Sequence, residues 1–306
     1  MPESLKTVRE LIQVTTDYLA SKGIDSPRLN AERLLAEVLS LTRMDLYLQH
    51  DRPVTGPELD RYRELVRRRA AGEPLQTLLG ETEFYSRAFK VEPGVFIPRP
   101  ETEILIERCL EILIPPDRRP LSPVALEIGC GCGVIGVTLA AEIPTLQVFA
   151  TDINPAAVRL TEYNARRQGV RGRMTILEGK LFAPLPVRLR GQVDLLVSNP
   201  PYVRRQDIPG LPVEVSQHDP VAALDGGQDG LKFYRALAAN LDQWLKPGGW
   251  IVVEIGADAA LDVHEILARA GGGDIAVKED YNRRPRVVSA CYGGAERSAQ
   301  DLEAES

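Results

Sequence analysis

From residue 4 to about 72, apolar residues recur at helical spacing. Leu5, Val8, Leu11, Ile12, Thr15 and Leu19 share one stripe, and Ala31, Leu34, Leu35, Val38 and Leu39 share another. Gly23 ends the first helix and Asp25-Ser26-Pro27 opens the next. A further helix starts at Pro57-Glu58-Leu59 and runs through an arginine-rich stretch to Gly72. The pattern predicts a small helical bundle over 1–73, with nothing catalytic in it. From Pro74 to Pro98 the period changes. Phe84-Tyr85 and Phe89-Lys90-Val91 are short β-like runs separated by Ser86-Arg87, which predicts a β-hairpin linker over 74–98. Arg99-Pro100 then gives a rigid entry to a helix from Ile104 to Ile112.

The remainder alternates. Apolar runs at Val124–Ile128, Leu146–Thr151, Met174–Leu177, Val193–Ser198 and Trp250–Ile255 read as strands. Helical segments at Val134–Glu142, Pro155–Gln168 and Leu231–Leu245 lie between them, which predicts an α/β fold with a parallel sheet. Ile275–Val277 and Arg286–Ala290 are joined by a segment too short for a crossover helix, so they should pair antiparallel. A mostly parallel, seven-stranded sheet ending in such a hairpin resembles the S-adenosylmethionine-dependent methyltransferase fold. That domain is expected over 99–292, with a disordered acidic tail over 293–306.

Composition narrows the function classes. The chain has 306 residues, 44% hydrophobic and 26% charged, an ordinary globular balance with room for two domains. No apolar run approaches the ~20 residues of a membrane span. The start, Met1-Pro2-Glu3-Ser4-Leu5-Lys6, lacks a charged-then-apolar leader, so a cytoplasmic location is expected. Four cysteines (Cys109, Cys130, Cys132, Cys291) are too few and scattered for a disulfide scaffold. Cys130 and Cys132 flank a glycine with no histidine nearby, so no metal is expected there. The net charge of −6 argues against a chain that grips duplex nucleic acid over a broad face. Arg61, Arg63, Arg67, Arg68 and Arg69 read as a solvated helix face, with contact to an acidic or RNA-bearing partner left open.

The candidate chemistry lies at two strand ends. Leu126-Glu127-Ile128-Gly129-Cys130-Gly131-Cys132-Gly133 joins the first parallel strand to its helix, and its glycines allow close backbone approach to a ligand. Asp152 ends the second strand near the ~20-residue offset at which a carboxylate reaches ribose hydroxyls. Asn154-Pro155 then caps the following helix. The run Gly131-x-Gly133-x-x-Gly136 also fits a dinucleotide fingerprint, so the loop alone leaves a nicotinamide cofactor and S-adenosylmethionine open.

Asn199-Pro200-Pro201-Tyr202 follows the buried-type strand Val193–Ser198 and separates the two. The Asn199 side-chain carbonyl and the Pro200 carbonyl can each accept one N–H of a planar amino group, while the Tyr202 ring covers its face. Two prolines keep the turn stiff and present no N–H of their own. Such a grip suits a poor nitrogen nucleophile held for alkylation, and a hydride-transfer enzyme has no use for it. A plain proline-rich turn is the bland alternative.

These residues resemble the release-factor glutamine methyltransferases (PrmC/HemK). The resemblance rests on Gly72–Gln76, Glu83-Phe84-Tyr85, Ile97–Glu103, Glu127–Gly133, Asp152-Ile153-Asn154-Pro155, Asn199–Tyr202 and Asp219–Leu231. It implies N5-methylation, by S-adenosylmethionine, of the glutamine in the Gly-Gly-Gln loop of peptide-chain release factors. The helical N-terminal domain would help hold that protein substrate. Carried onto this chain, it implies cofactor binding by Gly129, Cys130, Gly131, Cys132, Gly133, Asp152, Lys180, Leu181 and Asn199. It implies substrate binding by Asn199, Pro200, Pro201, Tyr202, Arg99 and Pro100, with Asn199, Pro200 and Tyr202 catalytic. No metal, stable nucleic-acid partner or membrane is implied.

Three departures stand out. Glu127 replaces a more usual Asp, Lys180-Leu181 stands where an Asp usually precedes an aromatic or Leu, and Tyr281–Arg286 lacks a glycine before the last strand. Gly226-Gly227-Gln228 copies the substrate motif within this chain, although its third position varies freely in the family. His50, His218 and His264 are not placed for base catalysis, so catalysis should come from orientation, which can supply roughly 7–11 kcal/mol. The expected step is an in-line displacement at a sulfonium methyl. The competing readings are methylation of a ribosomal-protein glutamine, methylation of adenine or cytosine in nucleic acid, and a nucleotide-binding adaptor without catalysis.

Overall fold

The computed structural model describes residues 6–114 and 122–293; the expected tail from 294 onward lies outside the described residues. By its contacts the chain divides into two compact units. One comprises residues up to Thr82 with Pro212–His218, and the other Glu83–Leu211 with Asp219 onward.

The first unit holds α1 (Val8–Ser21), α2 (Pro27–Leu39), α3 (Arg43–Leu48), α4 (Gly56–Ala70) and α5 (Leu75–Leu79). Capping boxes start three of them: Thr7 with Glu10, Thr42 with Asp45 and Thr55 with Glu58. The apolar stripes read from the sequence close on one another, burying Val8, Leu11, Leu19, Leu34, Leu35 and Tyr62. The Tyr62 hydroxyl donates to the Ala31 carbonyl at 3.1 Å, which satisfies its polar tip inside the core. Helix α5 falls where the sequence predicts only linker, because a five-residue helix is too short to show a period.

The arginine cluster is largely neutralised within this unit. Arg61, Arg63, Arg67 and Arg68 pair with Glu37, Asp60, Glu64 and Glu73 respectively. Arg69 departs from the solvated-face reading, being buried. Its guanidinium donates to Asn30 Oδ1 at 2.6 Å, to the Glu73 carbonyl at 3.0 Å and to Glu214. Here α9 (Val213–Ser216) brings Glu214 to the buried guanidinium.

The strand β1 (Glu81–Phe84), within which the division between the units falls, forms a hairpin with β2 (Arg87–Lys90). Tyr85 and Ser86 turn it, with φ of 50° and 56°, one residue earlier than the Ser86-Arg87 expectation. Glu103 sets that register by accepting the Tyr85 N–H at 2.7 Å. After α6 (Thr102–Leu113), the chain alternates β3 (Val124–Ile128), α7 (Val134–Glu142), β4 (Gln147–Asp152), α8 (Pro155–Arg167), β5 (Met174–Glu178) and β6 (Val193–Ser198). There follow α10 (Val221–Leu224), α11 (Lys232–Ala238), α12 (Leu241–Trp244), β7 (Leu245–Glu254), α13 (Ala260–Arg269), β8 (Gly272–Glu279) and β9 (Pro285–Tyr292).

The expected sheet forms. Its seven strands run in the order β5-β4-β3-β6-β7-β9-β8, with β3 to β7 parallel and β9 antiparallel to both neighbours. Alternate residues bury against opposite faces. Ala125, Val148, Leu195 and Val252 meet the helices α6, α7 and α8. Leu126, Phe149, Leu196 and Ile251 join the core of α11, α12 and α13. All six residues of β6 are buried, which explains its continuous apolar run. Among the described residues, no helix is long and apolar enough to cross a membrane.

Three local expectations change. The predicted helix Leu231–Leu245 breaks at Ala239-Asn240, where Asn240 Nδ2 donates to the Ala236 carbonyl at 2.8 Å and competes with the backbone ladder. Strand β7 begins at Leu245, ahead of the expected Trp250, because Leu245 already pairs with Val193. The β8–β9 hairpin closes without glycine: Arg283 takes φ 59°, and Asp280 Oδ1 accepts the N–H groups of Asn282 and Arg284 at 2.8 and 3.0 Å.

Gly249 carries the register shift between β6 and β7, since an added Cβ would lie 2.8 Å from the Val193 carbonyl oxygen and 2.9 Å from that of Lys246. Gly249→Ala should therefore destabilise the protein by about 1–3 kcal/mol in denaturant unfolding. Gly56→Ala, where nothing lies within 4 Å of an added Cβ, should stay within about 0.5 kcal/mol of the parent.

Candidate active site

Strand order reverses between β3 and β6, and in open parallel sheets that reversal opens a crevice at the carboxyl ends of the strands. The glycine loop leaves β3 there. Gly129, Gly131 and Gly133 have φ of 78°, 55° and 88°, a backbone that L side chains avoid. The N–H groups of Gly129 and Cys130 both donate to the Thr151 carbonyl, at 2.8 and 3.1 Å, which fastens the loop to β4. Nothing lies within 4 Å of a Cβ added at Gly129 or Gly131, so this backbone borders open space.

Gly133 differs. A Cβ there would meet Thr161 Cγ2 at 2.9 Å. Thr161 and Asn164, both fully buried on α8, hold the loop from beneath. The Thr161 hydroxyl donates to the Gly131 carbonyl at 3.0 Å, and Asn164 Nδ2 donates to the Cys132 carbonyl at 2.8 Å. Asn164 also bonds both backbone groups of Lys90, so one side chain ties β2 to the glycine loop. Sequence reading missed both residues. Their signal was polarity at helical spacing on the apolar stripe of Leu160 and Ala165.

Asp152 ends β4 with its carboxylate turned into the loop: Oδ2 accepts the Gly131 N–H at 2.9 Å and Oδ1 the Asn154 N–H at 2.8 Å. Burial raises its carboxyl above the ordinary range, and the N–H donors of Asn154, Gly131 and Ile153 oppose that rise. Asn154 caps α8 as expected, its Oδ1 accepting the Ala156 N–H at 2.9 Å ahead of Pro155. The neighbouring Ile153 is 64% exposed, a bare apolar side chain beside the acid.

The chain after β5 returns to the same strand end. The Gly179 N–H donates to the Asp152 carbonyl at 2.8 Å, and the Thr151 hydroxyl to the Leu181 carbonyl at 2.9 Å. Lys180 is exposed, and Leu181 takes φ 50°.

Cys130 and Cys132 bury their thiols away from this space. Burial pushes Cys130 well up and Cys132 to about 12, so both stay protonated. Among the described residues, no group of three or more His, Cys, Asp or Glu could hold a metal ion. Glu127, also fully buried, spans to α7, where its Oε2 accepts the Gly136 N–H at 3.1 Å. Burial raises its carboxyl well above the usual range, and the negative charge of Asp152 adds to the effect.

The Asn199 turn occupies the neighbouring strand end. The Ser198 hydroxyl donates to the Ile128 carbonyl at 2.6 Å, tying the end of β6 to the strand that carries the glycine loop. Pro200 is buried, while Asn199, Pro201 and Tyr202 are half-buried. Asn199 Nδ2 donates to Thr102 Oγ1 at 3.3 Å. The Thr102 hydroxyl donates to Glu254 Oε2 at 2.7 Å, and the Tyr202 hydroxyl reaches Glu254 Oε1 at 3.5 Å. Burial lifts the Glu254 carboxyl to about 7, with Thr102 and Arg286 opposing the rise. Neither Thr102 nor Glu254 was singled out from the sequence, since they meet this turn only through the fold.

A glycine loop braces Tyr202 from behind. A Cβ on Gly226 would lie 2.8 Å from Tyr202 Cα, and one on Gly230 would lie 2.6 Å from the Tyr202 carbonyl oxygen. In Gly226-Gly227-Gln228 the glycines are buried under this close approach, while Gln228 is exposed. Arg99 turns its guanidinium to the buried Asp219 carboxylate and stacks over Phe96 at 5.2 Å, with Pro100 exposed beside it.

Comparison with known proteins agrees with both units. Residues 10–80 match the PrmC N-terminal domain, and residues 89–211 match the methyltransferase small domain. The chain is 42% identical to the release factor glutamine methyltransferase of Geobacter sulfurreducens, over 94% of this chain and 97% of that one. It is 41% identical to the protein of the same name from Moorella thermoacetica, over 93% and 98%. Among solved structures, the hMettl16 catalytic domain in complex with a MAT2A 3'UTR hairpin aligns with TM-score 0.53 at 14% identity, over 78% of this chain and 82% of that one, a likeness of fold alone.

The raised Glu254 carboxyl has a consequence for stability. A carboxyl lifted from 4.5 to about 7 on folding contributes stability in full below pH 4.5. That contribution is lost as pH rises through the folded value. Glu254→Gln removes this dependence. Between about pH 5 and about pH 8, denaturant unfolding should show the variant gaining on the order of 2–3 kcal/mol over the parent. A difference that stays constant with pH would mean that Glu254 titrates at its ordinary value.

Proposed function

We propose that this chain, which belongs to the release factor glutamine methyltransferase family, moves the methyl group of S-adenosylmethionine onto the N5 nitrogen of the glutamine in a release factor's Gly-Gly-Gln loop, in the cytoplasm. One observation carries the assignment: a stiff Asn-Pro-Pro-Tyr turn is tied by Ser198 to the strand that bears the open glycine loop.

The residues fit the cofactor. Backbone at Gly129 and Gly131 borders empty space where side chains would intrude, which suits a ligand pressed against the main chain. Asp152 supplies a carboxylate for ribose hydroxyls, and Ile153 an apolar surface for a flat base. Cys130, Cys132 and Gly133 contribute backbone, with Lys180 and Leu181 at the edge. When bound, S-adenosylmethionine supplies an electrophilic methyl group.

The chain's own residues present the nucleophile. An amide nitrogen is a weak nucleophile, and no histidine or thiolate here serves as its base. Asn199 Oδ1 and the Pro200 carbonyl accept its two N–H bonds, which orients the nitrogen and stabilises the positive charge that develops on it. Tyr202 and Pro201 cover the amide plane and exclude water. Arg99 and Pro100 flank the entrance, Arg99 being held by Asp219. The helical region 1–73 docks the protein substrate, with 74–98 as its linker to the methyltransferase domain.

Radiolabelled methyl transfer tests this directly. Label should enter wild-type release factor, and a release factor whose motif glutamine is replaced by alanine should stay unlabelled, as should DNA and ribosomal protein. Asn199→Ala should lower turnover at least about 10²-fold while cofactor affinity stays within a few-fold. Labelling of the DNA or of the Gln→Ala factor would redirect the assignment.

A further inference from the structure

We propose that Glu254 is a positioning residue that, acting through the Thr102 hydroxyl, fixes which way the Asn199 carboxamide faces and so turns its carbonyl oxygen toward the acceptor amide. The proposal rests on the reading of Asn199 given above and adds what enforces it.

A carboxamide presents two faces of similar shape, one accepting and one donating, and only the accepting face can hold an N–H. An Asn that turned its NH2 toward the substrate would repel that amide's hydrogens. An ionised carboxylate is an acceptor only, so Glu254 Oε2 obliges Thr102, 2.7 Å away, to donate its single proton. The Thr102 oxygen is then left with lone pairs alone. Whatever approaches it must donate, and Asn199 Nδ2 does so at 3.3 Å. The carbonyl oxygen is thereby committed to the other side. The same carboxylate takes the Tyr202 hydroxyl on Oε1 at 3.5 Å, so one buried acid sets both side chains of the turn.

Protonation or removal of that acid would release the constraint. A neutral carboxyl carries its own proton and can donate to Thr102, whose hydroxyl is then free to donate to the Asn199 carbonyl and reverse the amide. Several groups bear on the carboxyl from the elements packed around it. Glu101 and Thr102 come from the start of α6, Tyr202 from the turn after β6, and Arg286, paired with Asp280, from β9. Tyr234 of α11 donates to the Glu254 backbone carbonyl at 2.8 Å. Burial of the carboxyl is the largest influence, and it sets the midpoint near 7, within reach of experiment.

Kinetics and NMR on the full-length protein test the relay. Thr102→Val should lower kcat about 10²-fold, with KM for release factor and cofactor Kd within about threefold, and Thr102→Ser should restore most of the loss. Wild-type kcat should fall as pH drops through about 7, and Glu254→Gln should flatten that limb. In the protein without substrate, the Asn199 side-chain amide resonances should shift through the same pH range in wild type and stay constant in Glu254→Gln. Thr102→Val with wild-type kcat, Thr102→Ser as impaired as Thr102→Val, or Asn199 resonances indifferent to pH would each overturn the relay. Wild-type enzyme that leaves release factor unmethylated while its Asn199 resonances still titrate would sink the functional reading and leave the relay standing.

Discussion

The hydrogen bond from Thr102 to Glu254 joins parts of the chain 152 residues apart, and the carboxyl ends of the central strands are organised around it. A carboxyl enclosed in the core is costly unless its lone pairs are met. That cost is met by the first residue of α6 and the tyrosine of the turn after β6, while the positive charge of Arg286 on β9 also favours the ionised form. The two hydroxyl donors arrive from different elements, so satisfying one buried acid brings two pieces of backbone together. The Asn-Pro-Pro-Tyr turn inherits its orientation from this arrangement more than from its own stiffness.

The second constraint is topological. Because β3 and β6 lie side by side in the sheet, the loop leaving one and the turn leaving the other emerge into the same crevice. Ser198 fixes their separation by bonding across to Ile128. Glycine then serves opposite purposes at different positions. At Gly129 and Gly131 a side chain would enter open space, so the missing Cβ leaves the backbone bare. At Gly133, Gly226 and Gly230 a side chain would strike protein, so there it allows the supporting layer to press close. A motif search counts these glycines alike, although their neighbours give them different jobs.

Much of this was legible in the chain. The parallel strands were visible as buried apolar runs, and the short link between β8 and β9 dictated an antiparallel hairpin. The glycine loop, Asp152, the Asn154-Pro155 cap and the Asn199 turn all stood out because local backbone chemistry needs those residue types. Shorter features were hidden. Helix α5 is too brief to show a period, and the break at Asn240 depends on one side-chain bond. Arg69 looked like its four neighbours, yet Asn30 and Glu214, far away in sequence, convert it into a buried anchor. Thr161 and Asn164 resembled ordinary polar helix residues, and only the loop lying above them explains their burial.

The sequence by itself determined the alternation of elements and where the glycine loop and the Asn-Pro-Pro-Tyr turn fall, because both follow from periodicity and from residue types with unusual backbones. The reaction class was also legible there, since an Asn-Pro-Pro-aromatic turn can offer two carbonyl acceptors on a stiff backbone. Tertiary structure decided what the Asn199 carboxamide meets inside the protein, its Nδ2 donating to the Thr102 hydroxyl. A carboxamide is nearly symmetric in outline, and its own residue type says nothing of which way it turns. Its bonded partner Thr102, itself bonded to Glu254, meets Asn199 because the strands β6 and β7 pair and α6 packs against β7.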